Sequence, residues 1–253
     1  MRAAALSSRP RWPPKAESRR GWVFTTRFQT WVRDSALRAG RALGRAGVTP
    51  NQVTVAGTLV TFVAAALAGF GYLLPAGLVL AFSGTFDILD GAVARATGNA
   101  YPYGAFLDST MDRYSEGAVY IGIAAYFLHG RGPWMEVQVL GCAFAIAGSY
   151  LVSYTRARAQ SLGFKCDVGL FARPERVVVT VAGLIFTAAF GPGLLGWVIL
   201  LLALLTNLTA IQRIREVWLQ GRAQHLESGG AVQEPDRDRG TSLQQPTGEA
   251  PTH

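Results

Sequence analysis

The chain has 253 residues, half of them apolar and only 16% charged, with 29 glycines and a formal net charge of +8. That composition excludes an ordinary soluble domain, in which about a quarter of the residues are charged. It also argues against a nucleic-acid partner, because the arginines stand at the ends of apolar runs and form no basic stripe.

Residues 1–21 are rich in Arg, Pro and Ser without a continuous apolar stretch, so a disordered basic arm is expected there and not a secretory signal. Residues 22–47 follow as a predicted amphipathic helix lying in the membrane interface. Phe24, Phe28, Trp31, Val32 and Leu43 recur at near-helical spacing, and Arg27, Arg38, Arg41 and Arg45 are placed to meet anionic headgroups. Hydropathy then marks six spans of the about 20 residues that a bilayer requires, at 52–74, 76–97, 104–129, 137–162, 177–190 and 194–217. The expected fold is all-α: a polytopic membrane protein whose domain, residues 48–220, contains six transmembrane helices. Residues 221–253 have few large apolar side chains and are expected to be a disordered tail.

Loops 71–77 and 191–193 carry no charge, whereas Arg95, Arg156, Arg158, Lys165, Arg173, Arg176, Arg213 and Arg215 lie at the opposite ends of the spans. The positive-inside bias therefore places both termini and the charged loops on the cytoplasmic side of the cell membrane. Cys142 and Cys166 fall on segments expected at different depths, so no disulfide is expected between them.

Into this apolar chain the stretch FDILDGAVARATGNAYPYGAFLDSTMDR brings four carboxylates. Asp87 and Asp90, three apart, share one helix face; Asp108 and Asp112, four apart, share a face of the next helix. Gly98, Asn99, Pro102 and Gly104 let the two helices turn back on each other, so the carboxylates can converge. A charge at mid-span costs about 2.5–3.5 kcal/mol on insertion scales, and four of them require cations. Oxygen ligands without nearby His or Cys point to Mg²⁺ or Mn²⁺ rather than zinc. Gly91 and Ala94 leave room beside Asp90 for a ligand, and Arg95 adds a cation suited to a phosphate ester. A divalent-cation transporter would also use intramembrane carboxylates, but all four lie in one hairpin and the second half has no counterpart. An inactive scaffold would be expected to have lost at least one metal ligand, and none is missing.

Asp87-x2-Asp90-Gly91-x2-Ala94-Arg95-x8-Gly104-x3-Asp108-x3-Asp112 resembles the signature of the CDP-alcohol phosphatidyltransferase family at all eight fixed positions. The resemblance extends over about residues 48–218, including TPNQVT before the first span. It implies attack by an acceptor hydroxyl on the β-phosphorus of a CDP-linked lipid, CDP-diacylglycerol, with release of CMP. It further implies two ions held by Asp87, Asp90, Asp108 and Asp112, with Asp112 as the base. Asn51, Thr54, Gly91 and Arg95 would bind the CDP-lipid, and the chain would form a homodimer.

DSTMDR, SYTRARAQ and RPER resemble the branch that uses inositol 1-phosphate, as phosphatidylinositol-phosphate synthases and their archaeal relatives do. On that resemblance Arg156, Arg158 and Arg176 would bind the acceptor phosphate by bidentate contacts. Two positions depart from the branch: Arg156 stands where Lys is common, and Tyr101 replaces a smaller polar residue. Glycerol 3-phosphate is the rival acceptor, although its branch usually shows DP and DK where this chain has Asp108-Ser109 and Asp112-Arg113.

Overall fold

The structure is a computed structural model that describes residues 23–98, 101–130, 132, 134–169, 171–191 and 193–228. Among the described residues there are seven helices and no strand: α1 (Val23–Arg45), α2 (Pro50–Gly69), α3 (Leu73–Thr97), α4 (Pro102–Gly130), α5 (Met135–Ser161), α6 (Arg173–Phe190) and α7 (Gly193–Ser228). The basic arm, the tail beyond residue 228 and the side chains of Phe24, Arg27, Phe28, Trp31 and Val32 lie outside the described residues.

Among the described residues four helices are long and apolar enough to cross a membrane: α2, α3, α5 and α7 as far as Leu226. The sequence reading expects six. The other two are more polar at their starts, since α4 carries Asp108, Asp112, Arg113 and Glu116 in its first half. α6 has 18 residues and opens with Arg173, Glu175 and Arg176.

The chain forms two compact units. The first comprises α1, α2 as far as Ala56, α3 from Thr85 and α4 as far as Asp108. Gly47, at φ +80°, reverses the chain after α1 and lets the Val48 N–H reach the Leu43 carbonyl at 3.0 Å. Thr49 and Gln52 then exchange side-chain bonds with each other's backbone N–H groups at 2.9 and 3.3 Å, a capping box that starts α2 with Pro50 in its first position. The described side chains of α1 begin at Asp34. Its packed face is a stripe of small residues, buried Ala36 and Gly40 followed by Gly44, while Arg38, Arg41 and Arg45 are exposed. A Cβ on Gly40 would stand 2.7 Å from the Ala92 carbonyl carbon, and one on Gly44 2.6 Å from Thr97 Cγ2. At Gly40 and Gly44 the backbone of α1 comes close to α3.

The second unit comprises residues 57–84 and the chain from Ser109 onward. Its core includes Leu80, Ile123, Leu184, Leu195, Ile199 and Leu202. Small residues again set the helix spacing: Gly122 faces the Ala65 carbonyl, Gly148 faces Thr206, and a Cβ on Gly183 would lie 2.8 Å from Val198. Leu59, Phe82, Ile121, Phe144, Trp197 and Ile211 are exposed, an apolar surface that lipid tolerates and water does not.

α7 continues through residues 221–228, which the sequence reading assigns to the tail. The reason is bracing by the loop after α5. Gln220 donates to the Lys165 carbonyl at 2.6 Å and accepts from the Lys165 N–H at 3.1 Å. Phe164 packs beside Gly221, and the Arg222 guanidinium lies 5.6 Å from the Trp218 ring centroid.

Candidate active site

In the first unit, α2, α3 and the start of α4 form an open cavity of about 200 Å³ lined by Pro50, Asn51, Thr54, Asp90, Gly91, Ala94, Tyr101, Gly104, Ala105 and Asp108. Asp90 is the fixed point of this cavity. It is only 8% exposed, and its carboxylate is held from two sides. Thr54 Oγ1 donates to Oδ2 at 2.8 Å, and the Gly91 N–H donates to Oδ1 at 2.5 Å. The i+4 spacing of Pro50 and Thr54 brings both onto the cavity side of α2, and the i+4 spacing of Asp90 and Ala94 does the same on α3.

Gly91 has a visible reason to be glycine. A Cβ there would sit 3.2 Å from Nη1 of Arg95, whose guanidinium folds back over the bare backbone one turn away. Similarly, a Cβ on Gly104 would lie 3.3 Å from Asn51 Oδ1. Among apolar lining residues such as Ala94 and Ala105 the cavity thus presents bare backbone, an amide and carboxylates, against which an anionic ester and its counter-ions can lie close to the helices.

In the second unit, α4 and α6 meet through two ion pairs. Arg173 Nη2 stands 2.7 Å from Asp112 Oδ1. Arg176 forks onto Glu116, with Nε to Oε1 at 2.5 Å and Nη2 to Oε2 at 3.0 Å, and donates Nη1 to the Phe171 carbonyl at 3.2 Å. Arg213, also buried, ties the loop before α6 by donating Nε to the Val168 carbonyl at 2.9 Å.

Among the described residues no three His, Cys, Asp or Glu side chains are grouped as a ready metal cage. The donor chemistry nevertheless fits a hard divalent cation. Asp90, Asp108, Thr54 and Asn51 offer only oxygen-bearing groups to the cavity, without thiol or imidazole. Asp112 already holds a cation, the Arg173 guanidinium.

Of the residues expected at the CDP-lipid and metal sites, Asn51, Thr54, Asp90, Gly91 and Asp108 line the one cavity. Arg95 adjoins it through Gly91, and Asp87 is exposed one turn before Asp90 on α3. Among the expected acceptor residues, exposed Arg156 lies 3.0 Å from Asp167, and exposed Arg158 reaches Ser161 at 3.5 Å. Arg176 is 1% exposed and directs its fork at Glu116, so its guanidinium joins α4 to α6. Sequence reasoning missed Glu116 and Arg173 as members of the charged cluster. The signal was the i, i+4 pair Asp112 and Glu116 on one helix and the i, i+3 pair Arg173 and Arg176 on another.

The carboxylate-lined cavity between close-packed helices defines a class. The chain belongs to the CDP-alcohol phosphatidyltransferase family, whose profile matches residues 47–209, and is an enzyme of that family. Within it, the chain is 42% identical over 152 residues to a phosphatidylinositol phosphate synthase of Mycobacteroides abscessus, covering 59% of this chain and 68% of that protein. It is 38% identical over 174 residues to an archaetidylinositol phosphate synthase of Methanothermobacter thermautotrophicus, covering 69% and 85%. Crystal structures of Mycobacterium tuberculosis phosphatidylinositol phosphate synthase, at 34% identity and a TM-score of 0.67, share the fold. One has CDP-DAG bound and covers 72% of this chain and 93% of its own. Another, in complex with manganese and citrate, covers 72% and 88%.

Proposed function

We propose that this enzyme transfers the phosphatidyl group of CDP-diacylglycerol to a hydroxyl of inositol 1-phosphate, releasing CMP at the cytoplasmic face of the cell membrane. The observation that carries the reading is the cavity in which Asn51, Thr54, Asp90, Gly91 and Asp108 meet. The family signature falls on it, and relatives at 38–42% identity are inositol phosphate-type synthases. The CDP-DAG and manganese complexes of the mycobacterial enzyme support the same donor and a divalent cation here.

Two Mg²⁺ or Mn²⁺ ions held by Asp87, Asp90, Asp108 and Asp112 would neutralise the pyrophosphate and the charge that grows during transfer. The chain's own residues do the rest. Thr54 and the Gly91 N–H fix the Asp90 carboxylate, so that it meets its ligand without reorienting. Gly91 admits the CDP group against the helix backbone while Arg95 and Asn51 orient it. Asp112 accepts the proton of the attacking hydroxyl, and Arg156 and Arg158 receive the acceptor's phosphate. In this reading six helices cross the bilayer, α1 lies in the cytoplasmic interface, both termini are cytoplasmic and the chain pairs as a homodimer.

The test is CMP release by purified protein in detergent with CDP-diacylglycerol and Mg²⁺, comparing inositol 1-phosphate, glycerol 3-phosphate, free inositol, serine and no acceptor. Stimulation by inositol 1-phosphate alone is expected. Stimulation by glycerol 3-phosphate instead would keep the chemistry and overturn the acceptor.

A further inference from the structure

The two ion pairs between α4 and α6 differ in kind. Arg176 and Glu116 form a buried tie: the arginine is 1% exposed and three of its nitrogens bond to Glu116 and Phe171. One turn away, the Arg173 side chain keeps 31% of its exposure and Asp112 keeps 16%, with 2.7 Å between their charged atoms. Pro174 stiffens the first turn of α6, and the Arg176 tie fixes that turn against α4. Arg173 is therefore delivered to Asp112 by its neighbours, while its side chain stays more exposed than that of Arg176.

We infer that Arg173 is a positioning residue: it occupies Asp112 as an exchangeable cation and yields the carboxylate when a divalent ion binds. This rests on the reading of Asp112 as a metal ligand. An ionised carboxylate beside apolar helices needs a countercharge at all times, including before any metal arrives. A guanidinium answers that need and, being itself a cation, opposes a second one at the same oxygens. Arg173 thus supports the metal-free protein and lowers its metal affinity by the same contact. A purely structural arginine would not couple those two effects.

The experiment uses the full chain in detergent without substrates and follows Mn²⁺ binding through loss of the free-ion electron paramagnetic resonance signal. Arg173→Gln is expected to bind Mn²⁺ about tenfold more tightly than wild type. Arg173→Lys, which keeps the charge, should stay within about threefold of wild type. In an Asp112→Asn background the same Arg173→Gln change should have no effect on affinity. Melting should show the opposite sign: in EDTA Arg173→Gln unfolds at a lower temperature than wild type, and saturating Mn²⁺ closes the gap. Unchanged or weaker Mn²⁺ binding by folded Arg173→Gln overturns the inference. If Asp112→Asn alone binds Mn²⁺ like wild type, the reading of Asp112 as a ligand fails and takes this inference with it. Should Arg173→Gln not fold, wild-type protein decides. Labelling of Arg173 by phenylglyoxal, read by peptide mass spectrometry, should rise on adding Mn²⁺, and no rise overturns the exchange.

Discussion

Replacing Arg176 by Met tests whether the buried α4–α6 tie belongs to the fold or to substrate binding. Arg176 is 1% exposed and gives Nε and Nη2 to Glu116 and Nη1 to the Phe171 carbonyl. Its removal leaves the Glu116 carboxylate without its partner among apolar helices. Breaking a buried pair from one side costs about 3–5 kcal/mol, and the lost bond to Phe171 adds about 1 kcal/mol. For a chain of this size each kcal/mol moves Tm by about 2–4 °C, so Arg176→Met should melt about 8–24 °C below wild type. Thermal unfolding in detergent, followed by tryptophan fluorescence, measures this. Removing both charges is nearly neutral when apolar groups replace them, so Arg176→Met with Glu116→Leu should recover most of the loss. A single variant melting within about 2 °C of wild type, or a double variant no more stable than the single, would refute the reasoning. A raised KM for the acceptor at unchanged Tm would return Arg176 to the substrate.

Thr54→Val removes the 2.8 Å bond to Asp90. Because a hydrogen bond to a charged group is worth about 1.5–3 kcal/mol, kcat/KM for the CDP-lipid should fall about 10–100-fold at nearly unchanged Tm; unchanged kinetics would count against the Asp90 clamp. Gly40→Leu forces a side chain into the Ala92 backbone, 2.7 Å from the nearest atom. Overpacking of this kind costs about 1–3 kcal/mol and should lower Tm, whereas Ala42→Leu on the exposed side of α1 should not. Cys166 is 1% exposed in the loop before α6, and burial raises its thiol pKa above the usual range. In Cys142→Ser protein it should label with maleimide more slowly than free cysteine at pH 7 and faster as pH rises and thiolate forms; labelling at the free rate would contradict its burial.

The carboxylate hairpin was legible because its chemistry is written in spacing. Asp90 and Ala94, or Asp108 and Asp112, share faces whatever the rest of the chain does, and the neighbouring glycines mark where a ligand must approach. Helix order was legible from hydropathy. Partners of charged groups were not. Arg173 and Arg176 satisfy a topology rule equally well whether they meet headgroups or carboxylates on another helix, and only packing shows that Glu116 takes one and Asp112 the other. The hydropathy signal is weaker where the first turns of a helix are polar, as they are in α4 and α6. The packing of α1 was hidden for a related reason. The periodicity of large apolar residues gives no sign of the close approach to α3 that Gly40 and Gly44, residues without a side chain, allow. The tail boundary shifted because Phe164 and Lys165, distant in sequence, brace the end of α7.

The central claim is that the aspartate hairpin carries out metal-dependent transfer from a CDP-lipid. Its most direct test is the formation of labelled lipid from radioactive inositol 1-phosphate and CDP-diacylglycerol, by wild type and Asp112→Asn, each titrated with Mg²⁺. The account predicts Mg²⁺-dependent product from wild type and a loss of about 10²–10⁴-fold in the variant, at a similar melting temperature. Product formed at the wild-type rate by Mg²⁺-saturated Asp112→Asn would contradict it.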